Sequence, residues 1–448
     1  MKRTGMAVLA LTAFTALSVR AFTYDVGMSH ADGVYVAGDS VPLTVTVWVT
    51  NGVKAVSGEV TAILDNFGSK ELSRTKIDLA KGNPFTVAAT RATPGLVRLV
   101  LKADGEKDFH WGVAFSPEKI RTGSPRPRDF DRFWAEAKAK YDREVPVDVK
   151  LEKLDALKKP KVNVYRLSLT TPHGRTVDGI LCEPEDLKRG PFPVRITVPG
   201  AGPSMGTAVS ASTDWISLVM NVHYYPLVVG HHKHTKGNDE LLALEKAETE
   251  ACKAKYRVNR YSHAGIAVSR EEYHYYDCIL AINRALDWLW ARPEVKKDDF
   301  RYSGTSQGGG FGLILAGFNA HITRAAVYVP AITDLLGSLD DGRQSGWPRL
   351  VEGHPEDLKA SAAKNAPYFD AAHFAANIRI PIRVAVGLAD TTCAPGAVWA
   401  GYNAIPSKDK AIIPTPGMTH TVTKKVYADV GKWYEASVVV VVESTKGM

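Results

Sequence analysis

A short apolar run from Phe300 to Ser303 leads directly into Gly304-Thr305-Ser306-Gln307-Gly308 and then into a glycine-rich helical stretch. Strand, tight turn and helix in that order form the setting of a G-x-S-x-G nucleophile turn. The flanking glycines allow a strained turn that lifts a serine hydroxyl out of a sheet. The Gln307 N–H then falls at a helix N-terminus, where free donors and the helix dipole can hold a developing oxyanion. One serine among many is thereby marked as a candidate attacking group, and the strand and helix around it constrain the fold.

A chain of 448 residues is long enough for two or three domains, and its 45% apolar and 23% charged residues are those of a globular protein. The first 21 residues read as a cleavable leader. Lys2 and Arg3 precede an apolar stretch from Met6 to Leu17 that is too short to span a bilayer, and Val19-Arg20-Ala21 offers a cleavage site. No later run reaches membrane-spanning length; Val438 to Val442 reads as a short strand. The net charge of +8 would fall to about +5 without Lys2, Arg3 and Arg20. The basic residues are scattered and not interleaved with aromatics, which argues against nucleic acid as a partner. Cys182, Cys252, Cys278 and Cys393 form no C-x-x-C pair; a disulfide is permitted in an exported chain but not required, and the spacing does not suit zinc.

Residues 22–120 read as a small all-β sandwich of immunoglobulin-like type. Leu43, Val45, Val47 and Val49 alternate with polar or aromatic partners, Val60, Ala62 and Leu64 repeat the pattern, and Leu96 to Leu101 and Trp111 to Phe115 add strands. Turn signals at Gly38-Asp39, Gly82-Asn83-Pro84 and Pro94-Gly95 separate them. Arg121 to Pro127, with two prolines, reads as a linker. From 125 to 448 the pattern becomes strand-helix alternation: a helix from Phe130 to about Tyr141 with Asp129 as its cap, strands at Val162 to Thr170, Thr176 to Cys182, Phe192 to Val198 and Ile216 to His223, and a helix from Ser269 to Ala291. Strands at Ala325 to Val329, Ile382 to Gly387 and Ala411 to Ile413 follow the turn at Ser306. This is the pattern of a doubly wound, mostly parallel α/β sheet.

In an α/β-hydrolase the acid and base follow the nucleophile in the order Ser, Asp or Glu, His, on loops at strand ends. Asp390 lies three residues past Gly387, and His420 follows the Ala411 to Ile413 strand on a Pro416-Gly417-Met418-Thr419 loop. A serine hydroxyl needs a base to take its proton, and the imidazole needs a carboxylate to fix its tautomer, so Ser306, His420 and Asp390 form the candidate triad. Asp334, after the next strand, is the rival acid. The oxyanion donors expected are the N–H groups of Gln307 and of Ala201, which sits between Gly200 and Gly202. Tyr224 and Tyr225, on a long excursion from Asn221 to Gly265, are candidate pocket residues with core packing an equal alternative. His231, His232 and His234 read as solvated loop; neither a metal nor any other cofactor is expected.

With these residues placed, the chain resembles the acetyl xylan esterase and cephalosporin C deacetylase family from about Asp129 to Trp433. The resemblance rests on Asp129-Phe130-Asp131-Arg132-Phe133-Trp134, Gly304-Thr305-Ser306-Gln307-Gly308-Gly309, Tyr368-Phe369-Asp370 and Val386-Gly387-Leu388-Ala389-Asp390-Thr391-Thr392-Cys393-Ala394-Pro395. The family's Arg-Gly-Gln is missing after Asn221-Val222-His223, Thr421 stands where Glu usually follows the histidine, and Ala201 replaces a tyrosine. The resemblance implies a serine carboxylesterase acting on acetylated plant oligosaccharides or small acyl esters, secreted or periplasmic; the departures leave acyl preference and oligomerisation open. The alternatives are a serine peptidase of prolyl-oligopeptidase type, for whose propeller the N-terminal region is too short, and a catalytically silent glycan-binding relative.

Overall fold

A computed structural model of the chain describes residues 22–436 apart from 50–51, 69, 203–209, 223–242, 244–246 and 248–260. The expected leader (1–21), Cys252, the Val438 to Val442 run, Tyr224, Tyr225, His231, His232 and His234 lie outside the described residues.

The N-terminal region is all β. Strands β1 (Phe22–Gly27), β3 (Ser40–Val49), β4 (Val53–Lys54) and β7 (Phe85–Thr90) form one sheet around β3. The second runs in the order β2 (Val34–Tyr35), β9 (Phe109–Phe115), β8 (Gly95–Lys102), β5 (Glu59–Asp65), β6 (Glu71–Asp78). The period-2 residues Val41, Leu43, Val45 and Val47 of β3 meet Val97, Leu99 and Leu101 of β8 and Val113 and Phe115 of β9 in a core between the sheets. Strand β6 was not foreseen. Nearly all its residues are exposed, so it carries no apolar alternation and is held at the sheet edge by pairing with β5.

The segment from 121 to 129 has neither strand nor helix, and α1 (Phe130–Glu144) follows it. Phe130, Phe133, Trp134, Ala137 and Tyr141 recur at helical spacing and all are buried. Trp134, 1% exposed, also donates its indole N–H to the Tyr368 carbonyl at 2.9 Å; truncating it to alanine would cost on the order of 3–5 kcal/mol. The cap expected of Asp129 is not made. Its carboxylate instead accepts from the Tyr368 hydroxyl at 2.5 Å, which ties the helix start to a distant turn.

The central sheet has nine strands in the order β10 (Lys150–Lys153), β11 (Val162–Thr170), β12 (Thr176–Pro184), β14 (Ile216–Met220), β13 (Phe192–Thr197), β15 (Val295–Thr305), β16 (Arg324–Tyr328), β17 (Ile382–Gly387), β18 (Lys410–Thr415). The first three pairings are antiparallel; from β14 through β18 all are parallel. The parallel strands β14 and β16 are buried along their whole length, as expected of a sheet covered on both faces. This is the α/β-hydrolase architecture. Helix α2 (His274–Ala291) starts five residues later than its pattern suggests; ahead of it the Ser269 hydroxyl accepts from the Glu272 N–H at 3.1 Å in a separate turn.

Parallel strands place their carboxyl ends, and the loops after them, along one edge of the sheet. The loops after β13, β15, β17 and β18 all emerge there. Phe67, Leu96 and Ala114 of the N-terminal region are continuous with the main core, so that region is seated against the α/β part.

Candidate active site

Strand β15 ends at Thr305, and helix α3 (Gln307–Phe318) begins two residues later, leaving Ser306 alone in the turn. Its φ of 60° and ψ of −121° lie where a non-glycine residue is strained. The strain is held by the Ser306 N–H donating to Tyr328 O and by Ser306 O accepting from the Gly310 and Ala331 N–H groups, each at 2.9 Å. A Cβ at Gly304 would sit 2.5 Å from Gly308 O, and one at Gly308 would collide with the Val198 carbonyl oxygen. Glycine is needed at both positions because backbone occupies the space.

His420 reaches this turn from the loop after β18. Its Nε2 lies 2.9 Å from Ser306 Oγ and its Nδ1 lies 2.8 Å from Asp390 Oδ2. The other Asp390 oxygen accepts from the N–H groups of Thr392 (2.7 Å) and Cys393 (2.9 Å), so a fully buried carboxylate is held by its own turn. The imidazole is one-third exposed, open on one side to an incoming molecule. An imidazole held between a carboxylate and a serine hydroxyl can draw off the hydroxyl proton and carry the resulting charge. The structure therefore brings together Ser306, Asp390 and His420 as read from their order in the chain.

Asp334, the rival acid, faces elsewhere. Its oxygens accept from the Gly123 N–H at 2.7 Å and from Arg343 at 2.9 Å, so it clasps the segment after the β region to the α/β core. Asp390, Cys393 and His420 are the only group of potential metal ligands close enough together among the described residues, but both imidazole nitrogens are already engaged by Asp390 and Ser306. Burial, and then the Asp390 charge, push the Cys393 thiol well above its usual range, while a hydrogen bond with Ser306 acts the other way.

Gln307 opens α3, where an N–H has no acceptor within the helix. Ala201 lies in the turn after β13, partly exposed. What joins the two was not foreseen: the fully buried Gln307 side chain. Its Oε1 accepts from the hydroxyls of Tyr261 (2.6 Å) and Tyr275 (2.7 Å), and its Nε2 donates to Pro199 O and Gly200 O, both at 3.3 Å. The Tyr261 hydroxyl also accepts from the Gly202 N–H at 3.3 Å. The loop bearing Ala201 is thus stapled to the serine turn through one amide. Burial raises both tyrosines above their ordinary range, keeping the hydroxyls protonated as donors.

The acetyl xylan esterase (AXE1) family model matches residues 117–436. The chain belongs to this family. Its members are carboxylesterases, and the matched residues take in the nine-stranded sheet and its helices. A curated relative, acetyl esterase Axe7A of Xylanibacter ruminicola, is 28% identical over 408 residues, covering 89% of this chain and 86% of that protein. That coverage carries the likeness into the N-terminal β region. Among solved structures, the acetyl xylan esterase of Paenibacillus sp. R4 matches with a TM-score of 0.56 at 20% identity over 72% of this chain and 98% of its own. Acetyl xylan esterase 1 of Thermoanaerobacterium sp. JW/SL YS485 gives 0.55 at 20% identity, over 71% and 96%. At these identities the two structures speak to the shared fold.

Proposed function

We propose that this family member is an exported serine carboxylesterase that removes acetyl groups from xylan-type or related plant oligosaccharides. In this reading residues 1–21 are a leader, 22–120 an immunoglobulin-like domain and 125–448 the catalytic domain. The observation that carries the chemistry is the relay from Ser306 Oγ through His420 to Asp390, with separations of 2.9 and 2.8 Å, on a strained turn.

Ser306 Oγ attacks the acetyl carbonyl carbon while its proton passes to His420 Nε2. The carbonyl oxygen becomes an anion facing the N–H groups of Gln307 and Ala201. Asp390 keeps Nδ1 protonated and offsets the imidazolium charge. The bond to the sugar oxygen then breaks, and His420 gives that oxygen its proton, leaving an acetyl ester on Ser306. Water attacks the ester with its proton taken by His420, and acetate departs as Ser306 recovers its hydrogen.

The test is turnover of acetylated xylo-oligosaccharides and an aryl acetate by the full chain and by Ser306→Ala, together with labelling by a fluorophosphonate. The variant should lose at least about 1,000-fold in kcat, and the label should map to Ser306. Wild-type turnover by the variant would overturn the proposal. A panel of acetylated glycans, longer acyl esters and peptide amides assigns the substrate.

A further inference from the structure

Strand β9 of the N-terminal region lies directly behind the two loops that carry the acid and the base. At Gly112 its backbone is so close to the Leu388 carbonyl, two residues before Asp390, that a Cβ there would collide with it. Beside it the Trp111 indole covers Gly417, three residues before His420, which has a φ of +69° and no room for a Cβ under the ring. A Cβ at Gly33 would lie 2.8 Å from Pro416 and 3.1 Å from Leu388. The two loops are joined to each other: the Leu388 N–H donates to Thr415 O at 3.0 Å and the Ala389 N–H to Met418 O at 2.9 Å. On the far side of Asp390, the Phe67 carbonyl accepts from the Gln344 N–H at 2.9 Å, and the Gln344 side chain donates to Thr391 O at 3.0 Å.

We infer that the N-terminal β region holds Asp390 and His420 in relay geometry, with Trp111 as the positioning residue through which β9 supports the His420 loop. The inference rests on the serine-relay reading above. Its physical basis is that the crest of the loop, at Gly417, has no side chain with which to pack. Gly417 adds no side chain, so the indole is the surface against which that backbone is set. Removing the ring leaves space into which Gly417 can move, and His420 moves with it. Sub-ångström to 1 Å errors in a proton relay cost far more rate than binding.

The experiment uses the full chain with Trp111→Ala, Trp111→Leu, Trp111→Phe and, as a control on the exposed surface of the β region, Val56→Ala. Active sites are titrated so that kcat refers to folded enzyme. Trp111→Ala should lower kcat roughly 10- to 100-fold with KM changed less than about twofold. Trp111→Phe should recover most of it, Val56→Ala should match wild type, and the low-field Nδ1–H proton resonance of His420 should move in the alanine variant. A packing role alone would lower stability and leave kcat per active site and that resonance unchanged. If Trp111→Ala does not fold, Trp111→Leu supplies the same reading. Wild-type kcat in either folded variant overturns the inference, and does so alone if Ser306→Ala is inactive. An active Ser306→Ala overturns the serine reading and this inference with it.

Discussion

Replacing Gln307 by alanine removes an amide that touches four groups while leaving its backbone N–H in place. The Tyr261 and Tyr275 hydroxyls lose an acceptor at 2.6 and 2.7 Å, and the Pro199 and Gly200 carbonyls lose a donor at 3.3 Å. A buried hydroxyl that loses its acceptor costs about 1–3 kcal/mol. Tyr275 is fully buried and Tyr261 still accepts from the Gly202 N–H, so the two lost bonds together should destabilise the fold by about 2–4 kcal/mol. In the proposed mechanism the looser loop would also carry the Ala201 N–H away from the carbonyl oxygen, and losing one oxyanion donor costs about 100- to 1,000-fold in kcat. Gln307→Glu separates the two effects. It still accepts from both tyrosines but sets a carboxylate against two carbonyl oxygens, so stability should partly return while kcat does not. Urea unfolding followed by tryptophan fluorescence and steady-state turnover of an aryl acetate measure both. A Gln307→Ala protein within about 1 kcal/mol of wild type and with unchanged kcat would refute the staple.

Asp390→Asn should leave the geometry in place but lower kcat about 10,000-fold by favouring the wrong imidazole tautomer; steady-state turnover checks this. Gly308→Ala drives a Cβ into the Val198 carbonyl, so it should cost more than about 2 kcal/mol and abolish fluorophosphonate labelling of Ser306. His274 donates from Nε2 to Val222 O at 2.6 Å, and burial holds it down to about 4. The unfolded chain takes up that proton nearer 6.5. Below that value the unfolded state binds more protons, so stability should fall by up to about 1.4 kcal/mol per pH unit down to about pH 4. His274→Gln should flatten that slope in urea melts between pH 4 and 7.

The sequence-readable parts of the molecule are those built from local repeats. Alternation in β3 and β5, the i, i+3, i+4 stripe of α1 and the glycines around Ser306 each state a local geometry, and chain order places Asp390 and His420. Sequence reading fails where partners are distant or the pattern is absent. Gln307 meets Tyr261 and Tyr275, 46 and 32 residues away, and nothing local marks a buried amide as a hub. Asp129 had the position of a cap, but Tyr368, 239 residues away, offered its carboxylate a hydroxyl. Strand β6 shows the same limit from the opposite side, a polar edge stabilised only by its neighbour.

The closure of the acid turn over Cys393 gives the protein an internal clock. Cys182, Cys278 and Cys393 are all buried, so a soluble thiol reagent reaches them only when the surrounding structure opens. Cys393 sits in the Asp390 turn and donates its backbone N–H to the Asp390 carboxylate at 2.9 Å. Its alkylation rate in native buffer therefore reads how often that turn comes apart, while Cys182 in β12 and Cys278 in α2 report on the scaffold. Comparing the rates ranks the local opening of the Asp390 turn against that of the sheet within one protein and without any substitution.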